Sequence, residues 1–84
     1  MVVEFLGVPR QRAGVSRLEV HAGTLGEALK VVSTQLPGMA ALIDDDRLNP
    51  AVVANLNGDR FISDPLTRLA ERDCVLILSS DAGG

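Results

Sequence analysis

The run Cys74-Val75-Leu76-Ile77-Leu78-Ser79, followed by Ser80-Asp81-Ala82-Gly83-Gly84, decides how this 84-residue chain is read. Six residues with an apolar centre and no charge describe a strand buried inside a sheet. The five residues after it hold no large apolar side chain, so they are expected to leave the core as a mobile arm. Fully extended, such an arm reaches at most about 16–18 Å. It carries little bulk and one reactive group, the α-carboxylate of Gly84. The alternative is a frayed end with two incidental glycines, and the remainder of the chain has to decide between them.

Working outward, the whole chain fits one small domain, with a core segment at 1–79 and a tail at 80–84. Its apolar share of 46% is that of a globular protein. No apolar run approaches the roughly 20 residues that cross a bilayer. Glu4 interrupts the apolar start, which does not read as a signal peptide. A single cysteine fits a reducing compartment, so a cytoplasmic location is expected. The net charge is −3, and Trp and Tyr are absent. Without a basic stripe or stacking aromatics, neither a nucleic-acid surface nor a membrane-bound role is expected.

The pattern along the chain supplies the architecture. Residues 2–8 read as a strand and residues 9–14 as a turn broken by Pro9 and Gly14. Residues 16–22 alternate, with Leu18, Val20 and Ala22 on one side and Arg17, Glu19 and His21 on the other. The short connection predicts an antiparallel hairpin. Thr24-Leu25-Gly26-Glu27 matches a capping box that opens a helix. Leu25, Ala28, Leu29, Val32 and Leu36 then line one face at helical spacing, and Pro37-Gly38 ends it. Residues 39–50 are irregular and contain Asp44-Asp45-Asp46. These lack the alternation, glycine and distant glutamate of a calcium loop and read as a solvated turn. Residues 51–56 read as a strand, Asn57-Gly58 as a hairpin turn, and residues 59–62 as a short return strand at an edge. Asp64-Pro65 looks like the cap and first position of one helical turn. The predicted order is β-β-α-β-β-(short helical turn)-β, an α+β fold. Its mixed sheet has four to five strands, with one main helix on one face.

That order resembles the β-grasp, or ubiquitin-like, fold. The resemblance sharpens at Val3-Glu4-Phe5-Leu6-Gly7 with the arginine-containing loop after it, and at Leu56-Asn57-Gly58-Asp59. It sharpens further at Pro65-Leu66, at Asp73 before the last strand, and at Gly83-Gly84. Together these are similar to the MoaD/ThiS family of sulfur carriers, closest to the small subunit of molybdopterin synthase. The resemblance implies a carrier, not an enzyme, with no bound cofactor. An E1-like adenylating enzyme would activate the Gly84 carboxylate with ATP. A sulfur donor would convert it to a thiocarboxylate, and an acceptor enzyme such as the molybdopterin synthase large subunit would receive the sulfur. Gly83 would help the arm thread a narrow channel, since it has no Cβ. Carriers for thiamine, cysteine or secondary-metabolite pathways share this ending, as do ubiquitin-like modifiers conjugated through Gly84. A non-covalent β-grasp binding module is a third reading. The extra segment 39–50 leans away from the more compact thiazole-forming carriers.

Other residues are expected to be structural. Cys74 reads as a small core residue. His21, the only histidine, has no second ligand for a metal and no triad partners in sight. A docking surface is expected on the sheet face away from the helix. Val53 and Leu76 or their neighbours are the candidates for it.

Overall fold

The computed structural model describes residues 1–83, with the backbone alone for Ala82 and Gly83. Strands β1 (Val2–Phe5), β2 (Arg17–Glu19), β5 (Val52–Leu56), β6 (Arg60–Ile62) and β7 (Cys74–Ser79) form one sheet in the order β2-β1-β7-β5-β6. A separate hairpin, β3 (Ile43–Asp44) with β4 (Arg47–Leu48), stands beside it. Helices α1 (Val8–Ala13), α2 (Leu25–Gln35) and α3 (Ser80–Gly83) and a 3-10 segment (Pro37–Leu42) complete the chain. The apolar run 74–79 does take the central position: β7 lies parallel to β1 and antiparallel to β5. The first two strands form the expected antiparallel hairpin, and β6 is an edge strand. The fold is the β-grasp.

Helix α2 is built as its sequence dictates. The Glu27 amide donates to Thr24 Oγ1 at 3.2 Å, and the Gly23 amide donates to Glu27 Oε2 at 3.0 Å. These reciprocal bonds complete the capping box. Leu25, Ala28, Leu29 and Val32 are each no more than 1% exposed. They pack on Val3, Phe5, Val52, Ala54, Leu56, Val75 and Ile77, the inward residues of β1, β5 and β7. A fully buried aliphatic side chain of this size contributes about 1.5–3 kcal/mol. No polar or charged residue is buried as a whole among the described residues.

Two local expectations are corrected. First, residues 8–13 are helical, not a turn. Pro9 sits in the first turn of α1, where its missing amide costs nothing, and Gly14 closes the helix at φ 75°. The carbonyl of Arg12 at the end of α1 packs so closely on Gly38 that a Cβ there would collide with it.

Second, residues 64–67 form a β-turn in place of a helical one. The Thr67 amide donates to the Asp64 carbonyl and the Leu66 amide to Asp64 Oδ1, both at 2.9 Å. The chain then stays extended because its carbonyls are needed elsewhere. Pro65 and Thr67 accept from the Gly26 and Leu25 amides, each at 2.9 Å, and so satisfy donors at the start of α2.

After β7, the backbone of Ser80–Gly83 makes a helical turn. Ser80 remains tied to the loop before β5. Its amide donates to the Ala51 carbonyl at 2.9 Å and its hydroxyl to the Pro50 carbonyl at 2.6 Å.

Candidate functional site

Strand β7 has two different ends. At its start, Asn57 bonds backbone and side chain at once. The Asn57 amide donates to the Cys74 carbonyl at 2.8 Å, and Cys74 donates back to Asn57 Oδ1 at 2.7 Å. Asn57 Nδ2 donates to Asp73 Oδ1 at 2.9 Å, while Asp73 Oδ2 accepts from the Ala70 amide at 2.7 Å. These two bonds, the Ala70 amide first and Asn57 second, hold the Asp73 carboxyl below the ordinary value of 3.8. Asn57 and Gly58 take φ values of 58° and 69°, the left-handed pair that a primed hairpin turn requires and that Asn-Gly tolerates. This end is a clamp.

At the other end β7 releases the chain. The exit lies beside Gly7, where an added Cβ would stand 3.6 Å from Ser79 Oγ. Leu6 and Val8 flank Gly7 and are 53% and 45% exposed. Gly83, one of the two site residues expected from sequence, ends α3. Gly84, the other, lies outside the described residues.

Register assigns the sheet faces, which sequence parity left open. Val53 and Leu76 do point away from α2, together with Val2, Glu4, Cys74, Leu78, Asn55 and Phe61. Phe61 is 54% exposed; Val53 and Leu76 are half-buried. A cleft of about 690 Å³ begins at Val53 and Phe61 and passes Pro50 to Arg47 on β4. The open face therefore connects with the loop that anchors Ser80.

Cys74 departs from the sequence expectation. It is half-exposed on this open face, and its thiol donates to Glu4 Oε1 at 3.0 Å. Burial first, then the hydrogen bond and charge of Glu4, push the thiol from 9.0 up to about 11. It is a neutral, weakly nucleophilic group at physiological pH. Sequence reasoning missed Glu4, Asn55 and Phe61. Only the cross-strand register brings residues so far apart into one surface.

The remaining candidates are spread over the surface. His21 is exposed on the polar side of the β1–β2 hairpin. Asp45 and Asp46 approach Lys30 at 3.9 Å and Arg47 at 3.8 Å, all at solvent-exposed positions. Asp45 turns the β3–β4 hairpin with φ 57°. Among the described residues, no three His, Cys, Asp or Glu side chains come together as a metal site. No helix among them is long and apolar enough to cross a membrane.

The sequence matches no protein-family model and no curated protein. Solved structures do match it. SAMP1 from Haloferax volcanii superimposes with a TM-score of 0.80 at 19% identity, covering 99% of this chain and 97% of that one. The Haloferax volcanii HVO 2177 protein gives 0.76 at 26% identity, with 99% and 84% covered. A chain of the Amycolatopsis orientalis BexX/CysO complex gives 0.78 at 22% identity, with 99% and 98% covered. Over nearly all its length, then, the chain is similar in fold to ubiquitin-like β-grasp proteins of the MoaD/ThiS type.

Proposed function

We propose that this chain is a carrier whose Gly84 carboxylate is activated and loaded with sulfur. The observation that carries the reading is a β-grasp domain whose sequence runs on from β7 to Gly83-Gly84 within five residues. A carboxylate is a poor electrophile at neutral pH, so an E1-like partner transfers AMP from ATP onto it and releases pyrophosphate. A sulfur donor then displaces AMP and leaves a thiocarboxylate. That sulfur is ionised and nucleophilic, and it attacks an electrophilic substrate held by an acceptor enzyme. Gly83, without a Cβ, lets the arm enter a narrow channel.

The pathway in this reading is molybdopterin assembly, with the molybdopterin synthase large subunit as acceptor. Its support is the sequence resemblance to the molybdopterin synthase small subunit, together with the segment between α2 and β5, a 3-10 turn and the β3–β4 hairpin. The open sheet face and the exposed Leu6 and Val8 at the exit supply surfaces for the enzymes to dock on.

A second reading is favoured by one finding: a structure at TM-score 0.78 is the small archaeal modifier protein 1 of Methanosarcina acetivorans. In that reading Gly84 forms an isopeptide bond with a lysine after the same adenylation. Intact mass separates the two. The chain is incubated with its host's activating enzyme, ATP and a sulfide source. Exchange of one oxygen for sulfur, lost when Gly84 is deleted, is the expected result. Adducts on other proteins without that exchange would establish the modifier reading. No change of either kind, with the deletion behaving as wild type, would overturn both.

A further inference from the structure

One cross-strand row runs over all five strands of the open face. Register places Arg17 beside Glu4, Glu4 beside Leu76, Leu76 beside Asn55, and Asn55 beside Phe61. In its antiparallel pairs, side chains directly opposite on one face stand about 4.5–5.5 Å apart at Cβ. Three features of this row are unexplained by the fold. Asn55 Oδ1 is buried without a hydrogen-bond partner, a state that native structures seldom leave uncompensated. Phe61, its direct neighbour, leaves 54% of its surface in water. Glu4 lies opposite Arg17, yet the ion pairs of the described residues are Lys30–Asp45 and Asp46–Arg47, and Glu4 is in neither.

We propose that the row Phe61–Asn55–Leu76–Glu4 reads an arginine presented by a partner protein. Each member supplies one part of the recognition of an arginine side chain. Phe61 offers an aromatic face for the planar cation. Asn55 offers a carbonyl oxygen, which rotation of its amide brings to the surface. Leu76, beside Asn55, receives the aliphatic stem. Glu4, about 14 Å across the row from Phe61, adds negative charge at its far end, with one oxygen engaged by the Cys74 thiol. Arginine fits better than lysine because it is planar and more weakly hydrated, and it stacks on aromatic rings. The chain's net charge of −3 favours a partner with a basic docking face.

The proposal depends on no chemistry at Gly84. A failed sulfur transfer would leave it standing, and its own failure would leave the carrier reading untouched.

The test is an NMR titration of the full chain with a capped leucyl-arginyl-leucine peptide, its lysine counterpart and its citrulline counterpart. Citrulline keeps the shape and removes the charge. Saturable shifts of the Asn55 side-chain amide and the Phe61 ring are expected. The citrulline peptide should bind about fivefold or more weakly. Phe61→Ala should weaken the arginine peptide about two- to fivefold. Asn55→Leu, which keeps volume on a half-exposed strand position, should weaken it comparably while other amide signals stay in place. No saturable shift, equal binding of arginine and citrulline peptides, or indifference to Asn55→Leu would each overturn the proposal. If the same signals shift on raising protein concentration without peptide, the face is occupied by a second copy of this chain, and the partner reading is overturned.

Discussion

Leu76 and Ile77 are adjacent in β7 and face opposite sides of the same sheet. Ile77 is completely buried against α2. Leu76 is half-buried on the open face, between Glu4 and Asn55. The covered face is apolar at its centre, with Arg60 and Ser79 only at its margins. The open face mixes Val53, Leu76 and Phe61 with Glu4, Asn55 and Cys74. The difference separates two requirements. The covered face has to exclude water, and that requirement fixes the fold. The open face is relieved of it, so its composition is free to follow binding.

The comparison breaks if the two faces respond alike to truncation. Ile77→Ala removes a side chain from a close-packed interior and should cost about 2–5 kcal/mol. For a chain of this length, total stability is on the order of 4–13 kcal/mol. Urea unfolding should therefore show a large drop in midpoint. A loss below about 1 kcal/mol would mean that the inner face is not the core.

Asn57→Ala comes next, at about 2 kcal/mol. It removes the side-chain bonds to Asp73 and Cys74 and puts a Cβ-bearing residue with no local hydrogen bond at φ 58°. Asn57→Gly should lose less, because glycine takes that φ freely. Equal losses would show that the side chain alone matters. Leu76→Ala should cost about 1 kcal/mol or less, since much of Leu76 already meets solvent. Its stronger effect is expected in partner binding, read in the same peptide titration.

How much of this was legible in the sequence follows the same division. The covered face announces itself through period: Leu25, Ala28, Leu29 and Val32 on the helix, and the run 74–79 on the central strand. The capping box at Thr24 and the Asn57-Gly58 turn were legible because each is local chemistry closed within four residues. Residues 64–67 were misread because a helix start and a β-turn use the same Asp-Pro signal. What decided between them was the need of α2 for acceptors at Leu25 and Gly26, some forty positions away. The helix at Val8–Ala13 was hidden because Pro9 reads as a breaker unless its place in the first turn is known. The open face was legible only in outline. Val53 and Leu76 were candidates, but their parity depends on strand register. The row through Asn55 and Phe61 is assembled from four separate pairings.

The smallest effect expected tests the clamp at the start of β7. Asp73 has its carboxyl lowered from 3.8, chiefly by the Ala70 amide and then by Asn57. Because the folded value lies below the unfolded one, the contribution is fully present above pH 3.8 and is lost as pH falls through the folded value. Asp73→Asn removes that titration. Measured against wild type between pH 5 and pH 2.5, the variant should start less stable and lose less on acidification, so the two curves converge. The carboxyl lies close to solvent, where screening keeps such contributions small, and for that reason the difference should be smaller than that of Asn57→Ala. Parallel curves would show that Asp73 is ionised equally easily in both states. The order at this end would then rest on the exchange between Asn57 and Cys74, the Asn57 amide to the Cys74 carbonyl and the Cys74 amide to Asn57 Oδ1.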